Sequence, residues 1–236
     1  MPSIQTWKKL TALSGLAFGT FLWMHLLCHA SLSIRWELAQ ANLLKTRAIY
    51  QHPLFEAGMV LALLIHMMSN AVVVMHRRKI TALAAPAAEE KEPAGTTLEL
   101  KAHRTAGIIL GISIVGHVAA TRIGPLLFLD DPAAYDYSFV AKVNDEVPYN
   151  LFSVYMAIFA MAAVWHGIYG TRSALAMLSG GSVIGTAFPV PLKFLASLSH
   201  LIMISAAASL TGYYYVIDKD AKAALHEDVF KGMGMH

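Results

Sequence analysis

The chain has 236 residues, of which 56% are hydrophobic and 14% charged. A soluble domain carries nearer a quarter charged residues, so this composition excludes an ordinary water-soluble globule and points to a membrane solvent. The formal net charge of +3 is too small to argue for nucleic acid, and Cys28, the single cysteine, leaves no intrachain disulfide and no thiolate-ligated cluster.

Taken in chain order, the polar start (residues 1–9) leads into a first apolar run at 10–34, which lacks a small-residue cleavage site and reads as a retained helix. A second run spans 54–75. The connection 76–101 opens with Arg77, Arg78 and Lys79, continues through an Ala/Pro/Glu stretch and is expected to be a mobile inner loop. The third run, 105–121, is short and glycine-bearing, closed by Arg122 and Pro125 on one side and by His103 and Arg104 on the other. An acidic, aromatic-rich segment at 122–150 reads as an ordered outer cap, followed by runs at 151–170 and 194–216. The predicted fold is an all-α integral membrane bundle of five transmembrane helices, one membrane domain over 1–236. Lys8, Lys9, Arg77, Arg78, Lys79, Lys101, Arg104, Arg172 and Lys193 fall on one side of it. That bias puts the N-terminus inside, against Arg35, Lys45 and Arg47 on the outer side.

Of the eleven histidines, His25, His66, His117 and His166 lie within runs one to four, one in each. Imidazole in hydrocarbon is costly unless paired or coordinated. A lone one is explained equally well by an interhelical hydrogen bond; four on consecutive helices are not. His25 lies about fifteen residues from the inner end of its helix and His117 about twelve, which puts both in the outer half of the bilayer. His66 and His166 lie about nine and about five residues from their inner ends, in the inner half. The four sort into an outer pair, His25/His117, and an inner pair, His66/His166. Two imidazoles at one depth can clamp a flat macrocycle through its iron, leaving it six-coordinate and suited to electron transfer. A zinc or di-metal site would gather its ligands at one depth with carboxylates, and runs one, three, four and five contain no Asp or Glu. Two b haems are therefore expected inside the bundle.

Gly19 and Gly111, each about 9 Å deeper than the histidine that follows it, are expected at the level of the inner ring, where ordinary small-residue packing is the competing explanation. His29 lies one turn beyond His25. It is either an alternative ligand or a partner of a propionate or quinone near the outer surface. Arg104, with His103, is expected at the inner propionates and Arg122 at the outer ones, although both also suit interfacial anchoring. His200 reads as a hydrogen-bonding residue of the fifth helix, and His52, His76, His103, His226 and His236 as surface or tail residues.

The stretches Gly15-Leu-Ala-Phe-Gly-Thr-Phe-Leu-Trp-Met-His25, Leu63-Leu-Ile-His66, Gly107-Ile-Ile-Leu-Gly-Ile-Ser-Ile-Val-Gly-His117-Val-Ala-Ala-Thr-Arg122 and Val164-Trp-His166-Gly-Ile-Tyr-Gly170 cover four of the five runs in order. Together they resemble the di-haem cytochrome b membrane anchors of succinate:quinone oxidoreductases, the family of bacterial succinate dehydrogenases and fumarate reductases. The resemblance implies a multi-pass subunit of the bacterial cytoplasmic membrane with its N-terminus cytoplasmic. It implies docking of an iron–sulfur subunit and an FAD-bearing flavoprotein subunit on the inner face, and electron exchange with membrane quinone, menaquinone being the expected one. His66 and His166 would ligate the haem nearer the iron–sulfur subunit, His25 and His117 the distal one. Val164 stands where some members carry a glutamate implicated in proton movement. Glu37 and Glu56 are the acids open to a quinone-site role, with Glu37 and His29 the expected proton-exchanging pair. Two other readings stay open: the di-haem anchor of a hydrogenase- or nitrate-reductase-type complex, which differs in its partner, and a haem-free transporter or scaffold, which would have no visible absorbance.

Overall fold

The computed structural model describes residues 2–84, 97–181, 188–215, 217 and 222–232. They form α1 (Ile4–Ala30), α2 (Trp36–Tyr50), α3 (Pro53–Ala84), α4 (Leu98–Val118), α5 (Gly124–Phe128), α6 (Tyr137–Glu146), α7 (Leu151–Leu178), α8 (Val190–Ser209) and α9 (Ala223–Gly232), with no strand among the described residues. Five helical stretches are long and apolar enough to cross a membrane: Ile4–Ser33, Pro53–Leu83, Leu98–Phe128, Pro148–Leu178 and Val190–Ser209. The chain is thus a multi-pass membrane protein. Its outside agrees, since Leu13, Leu61, Ile112 and Leu201 are exposed, the reverse of what water permits and what hydrocarbon favours.

Helices α1 and α7 form the middle of the bundle. The first packs on α3 and α7, and α7 packs in addition on α4 and α8. The core shared by α1, α7 and α8 is dense because it is built on small residues, with Ala163, Gly167 and Ala196 letting Leu26, Ile168, Tyr169 and Met203 close around them. The Thr11 hydroxyl donates to the fully buried Ser69 hydroxyl at 2.9 Å and ties α1 to α3. Such a bond within a membrane contributes about 0.6–1.7 kcal/mol.

Boundaries differ from the expected ones where local chemistry outweighs hydropathy. Residues 76–84 continue α3, and Thr97 caps α4 by accepting from the Leu100 amide at 3.2 Å. Both ends of the expected loop 76–101 are therefore helical, and 85–96 lies outside the described residues. The fifth span ends at Ser209 and not at 216, because the chain turns through Gly212 at φ +80. The third is longer than expected: after Val118 a π-helical turn (Ala119–Ile123) carries it into α5.

At the end of the bundle away from Ile4, the segment 122–150 is built of short helices. Asp136 caps α6, accepting from the Ser138 amide at 2.8 Å. The buried Asn144 accepts from the Ser153 amide at 3.2 Å and its hydroxyl at 2.7 Å, so a residue of α6 caps α7. Lys222, just before α9, donates to the Ala134 carbonyl and pairs with Asp136 at 2.7 Å. Helix α2, which hydropathy alone did not separate from a loop, belongs to the same end: Arg47 donates to the Tyr135 carbonyl. We call this end the cap.

Candidate functional site

The third- and first-span glycines explain how the histidines farther from the cap are held. A Cβ on Gly15 would lie 2.9 Å from the His66 ring, and one on Gly107 would lie 3.0 Å from His166. Each histidine crosses the neighbouring helix where that helix has no side chain, and its Nδ1 reaches the carbonyl one turn earlier. His66 meets Thr11 O at 3.0 Å and His166 meets His103 O at 3.3 Å. A carbonyl only accepts, so both Nδ1 atoms carry the proton and both Nε2 atoms keep a lone pair. That is the tautomer a metal-binding histidine needs, with the outer hydrogen bond that orients such a ligand. The two rings stand edge to face at 88°, with centroids 6.2 Å apart.

The glycines in contact with the two histidine rings are Gly15 and Gly107. Gly19 and Gly111 have nothing within 4 Å of an added Cβ. They follow Gly15 and Gly107 on nearly the same helix face, between the two histidine levels. His103 is misplaced by the sequence reading. It stacks on His166 at 4.3 Å and 12°, and on Tyr169 at 4.7 Å, inside the bundle and not on its surface. His200 donates to the Met161 carbonyl at 3.1 Å.

The cap-side histidines are held differently. His25 and His117 stand 5.9 Å apart between ring centroids. His25 stacks on Phe21 and meets the edge of Tyr50, while His117 rests against Phe159. No main-chain carbonyl takes the His25 Nδ1, which is buried without a hydrogen-bond partner. Its Nε2 lies 3.0 Å from Nε2 of His29, whose Nδ1 lies 2.9 Å from the Tyr137 hydroxyl, and that hydroxyl is 3.4 Å from the Cys28 sulfur. Burial, reinforced by Cys28, holds the Tyr137 hydroxyl well above the ordinary tyrosine value, so it stays a protonated donor at neutral pH.

Beside this chain is an apolar cavity of about 310 Å³, lined by His29, His117, Tyr135, Tyr137, Phe152 and Tyr155 among others. Neither Glu37 nor Arg122 borders it. Glu37 stands exposed in the first turn of α2, and Arg122 holds both oxygens of Glu56, through Nε at 2.6 Å and Nη2 at 2.7 Å. The π-helical turn after His117 brings Arg122 round to that carboxylate. Arg104 is exposed at the other end of the bundle. Of the residues expected at a quinone or at propionates, only His29 lies against the cavity. Tyr137 was missed, since its segment carries five aromatic residues and nothing in the sequence marks one above the others.

Two imidazoles bound to one metal at about 2 Å each place their centroids about 6 Å apart, the spacing of both pairs. Among the described residues no three His, Cys, Asp or Glu side chains gather into a metal cage. The fold and site thus define a five-span membrane protein with two histidine pairs at two depths. Compared with protein-family models, curated proteins and solved structures, the chain shows no significant match, so its function is argued from these residues.

Proposed function

We propose that this chain is the cytochrome b membrane anchor of a succinate:quinone oxidoreductase, of the succinate dehydrogenase or fumarate reductase kind. In this reading His66/His166 and His25/His117 each hold one b haem, and the subunit carries electrons between an iron–sulfur partner and membrane quinone. The observation that carries it is two pairs of imidazoles, with ring centroids 6.2 and 5.9 Å apart and planes near perpendicular, on four successive spans. Bis-imidazole iron in a porphyrin supplies one-electron transfer without an open coordination position. The chain's own work is positional. Gly15 and Gly107 admit the rings, Thr11 and His103 carbonyls hold the Nδ1 protons, and the two levels lie about ten residues, or ~15 Å, apart along α1 and α4.

Quinone chemistry belongs at the cap. It needs an apolar slot and groups that exchange protons, and the cavity beside His29 and Tyr137 supports that placement. The orientation by basic residues puts the cap outside the cytoplasm. The opposite face, with Lys8, Lys9 and Arg77–Lys79, then meets the flavoprotein and iron–sulfur subunits.

The test is purification of the complex from membranes. It should contain about two protohaems per chain by pyridine haemochrome, both low-spin without a carbon monoxide adduct, together with an FAD subunit. A colourless protein would overturn the haem assignment. Two haems with a nickel–iron or molybdenum partner would move the chain to another respiratory complex.

A further inference from the structure

Among the described residues, Arg47 is paired with no carboxylate. It projects from α2 into the cap, where Nη1 donates to the Tyr135 carbonyl and the guanidinium carbon lies 5.7 Å from the centre of the Tyr135 ring. The Tyr50 hydroxyl lies beside it, and the Tyr50 ring is 5.9 Å from His25. Its Nε–H is buried and meets no acceptor. The acids nearest this region are already committed, Glu56 to Arg122 and Asp136 to Lys222. Arg47 as a whole is half-buried, but its Nε–H lies out of water with its hydrogen bond unmade, which costs about 1–3 kcal/mol. A planar guanidinium fork fits the oxygens of a carboxylate or phosphate.

We infer that Arg47 binds an anionic carboxylate of the group clamped between His25 and His117, a porphyrin propionate, in place of the Arg122 that the sequence suggested. The inference rests on the haem reading above. Everything around the guanidinium belongs to this site: Tyr50 abuts His25, and Tyr135 lines the cavity that His117 also lines. Arg122 is unsuited because its fork is filled by Glu56. A lipid phosphate at the membrane surface offers the same anionic oxygens, so the test must separate the two sources.

A cation beside the macrocycle favours the ferrous state, so its removal should lower the midpoint potential of the haem it serves. Redox titration of the purified complex should show one haem shifted downward in Arg47→Gln and the other unmoved, with two haems still bound. Arg47→Lys, which keeps the charge but loses the fork, should recover part of the shift; it also serves if the glutamine variant assembles poorly. Unchanged potentials in both variants at full haem content would overturn the assignment. So would unchanged potentials together with loss of co-purifying anionic phospholipid, which would identify the anion as lipid. A wild-type complex without haem would instead overturn the reading beneath it, leaving the two failures distinct.

Discussion

The histidine pair far from the cap is fixed by main chain; the pair beneath the cap is fixed by side chains. His66 and His166 each lean on a glycine and bond to a carbonyl, on α1 and α4 respectively, so their orientation follows from the backbone of the bundle. His25 and His117 are positioned by Phe21, Tyr50 and Phe159, and a line of hydrogen-bonding groups runs from His25 through His29 to Tyr137. Main-chain hydrogen bonds leave little room for rearrangement, and His103 meets this pair by ring stacking on His166. Side-chain chains can reverse their polarity and release a proton. In the proposed function, the first construction suits electron transfer alone and the second suits the place where electrons and protons meet.

The largest effects should come from the ligands themselves. His66→Ala and His166→Ala should abolish the same haem signal, and His25→Ala and His117→Ala the other, with quinone-linked turnover lost in each case. If His25→Ala and His166→Ala removed one shared signal, the pairing by depth would be wrong. His29→Ala should leave both signals, because the His25 ring stands at ligand spacing, 5.9 Å, from that of His117. Its Nε2, now against Nε2 of His25, must then turn away when His25 takes a metal.

A smaller effect separates the two constructions. Gly15→Ala or Gly107→Ala puts a methyl group 2.9–3.0 Å from His66 or His166, closer than the ring can tolerate without moving. Either variant should reduce occupancy or shift the spectrum of the far haem only. Gly116→Ala, whose methyl group would meet nothing within 4 Å and would project at the cavity wall, should leave the far haem unchanged. An equal disturbance of both haems by Gly15→Ala would mean that the two levels are not mechanically separate. On the cap side, Tyr137→Phe removes the hydroxyl from the cavity wall. It should lower quinone-coupled turnover, by about 10²-fold if that hydroxyl delivers a proton, while both haem spectra stay intact. Turnover measured with a quinol analogue at saturating concentration decides it.

Much of this was legible in the sequence because hydropathy and helical rise are one-dimensional properties. The apolar runs located five spans, and counting residues from their ends placed His25 level with His117 and His66 level with His166. Gly15 and Gly107, which touch His66 and His166, carry no mark in the sequence, since rise alone does not say that a histidine reaches a carbonyl such as that of Thr11. The pairing of Arg122 with Glu56 was not legible, because the π-helical turn that leads into it has no signature in composition. Helix α2 escaped because its alternation of Leu43 and Ala39 with polar residues is too weak to stand out between two spans. With it went Arg47, whose significance lies in what surrounds it.

The smallest effect concerns the clasp over the cap side. Asp136 accepts from Ser138 and pairs with Lys222 at 2.7 Å. Its partial burial by itself favours the neutral acid, but the bonds from Lys222 and Ser138 outweigh it and hold the carboxyl below the ordinary aspartate value. A carboxylate depressed in this way contributes stability that is fully present above its unfolded value, about 3.9, and is lost as pH falls through the lower folded one. Acidification below about pH 4 should therefore loosen α6 and the Lys222 segment while the far histidine pair, which has no carboxylate in its support, is untouched. Because the Lys222 side chain is about a third exposed, the contribution is modest, on the order of 1 kcal/mol. Asp136→Asn should reproduce the acid effect at neutral pH, seen as faster amide exchange in α6 with unchanged exchange in α1 around Thr11. Equal acid sensitivity of cap and far side in the wild type, or acid sensitivity that persists in Asp136→Asn, would place the clasp elsewhere.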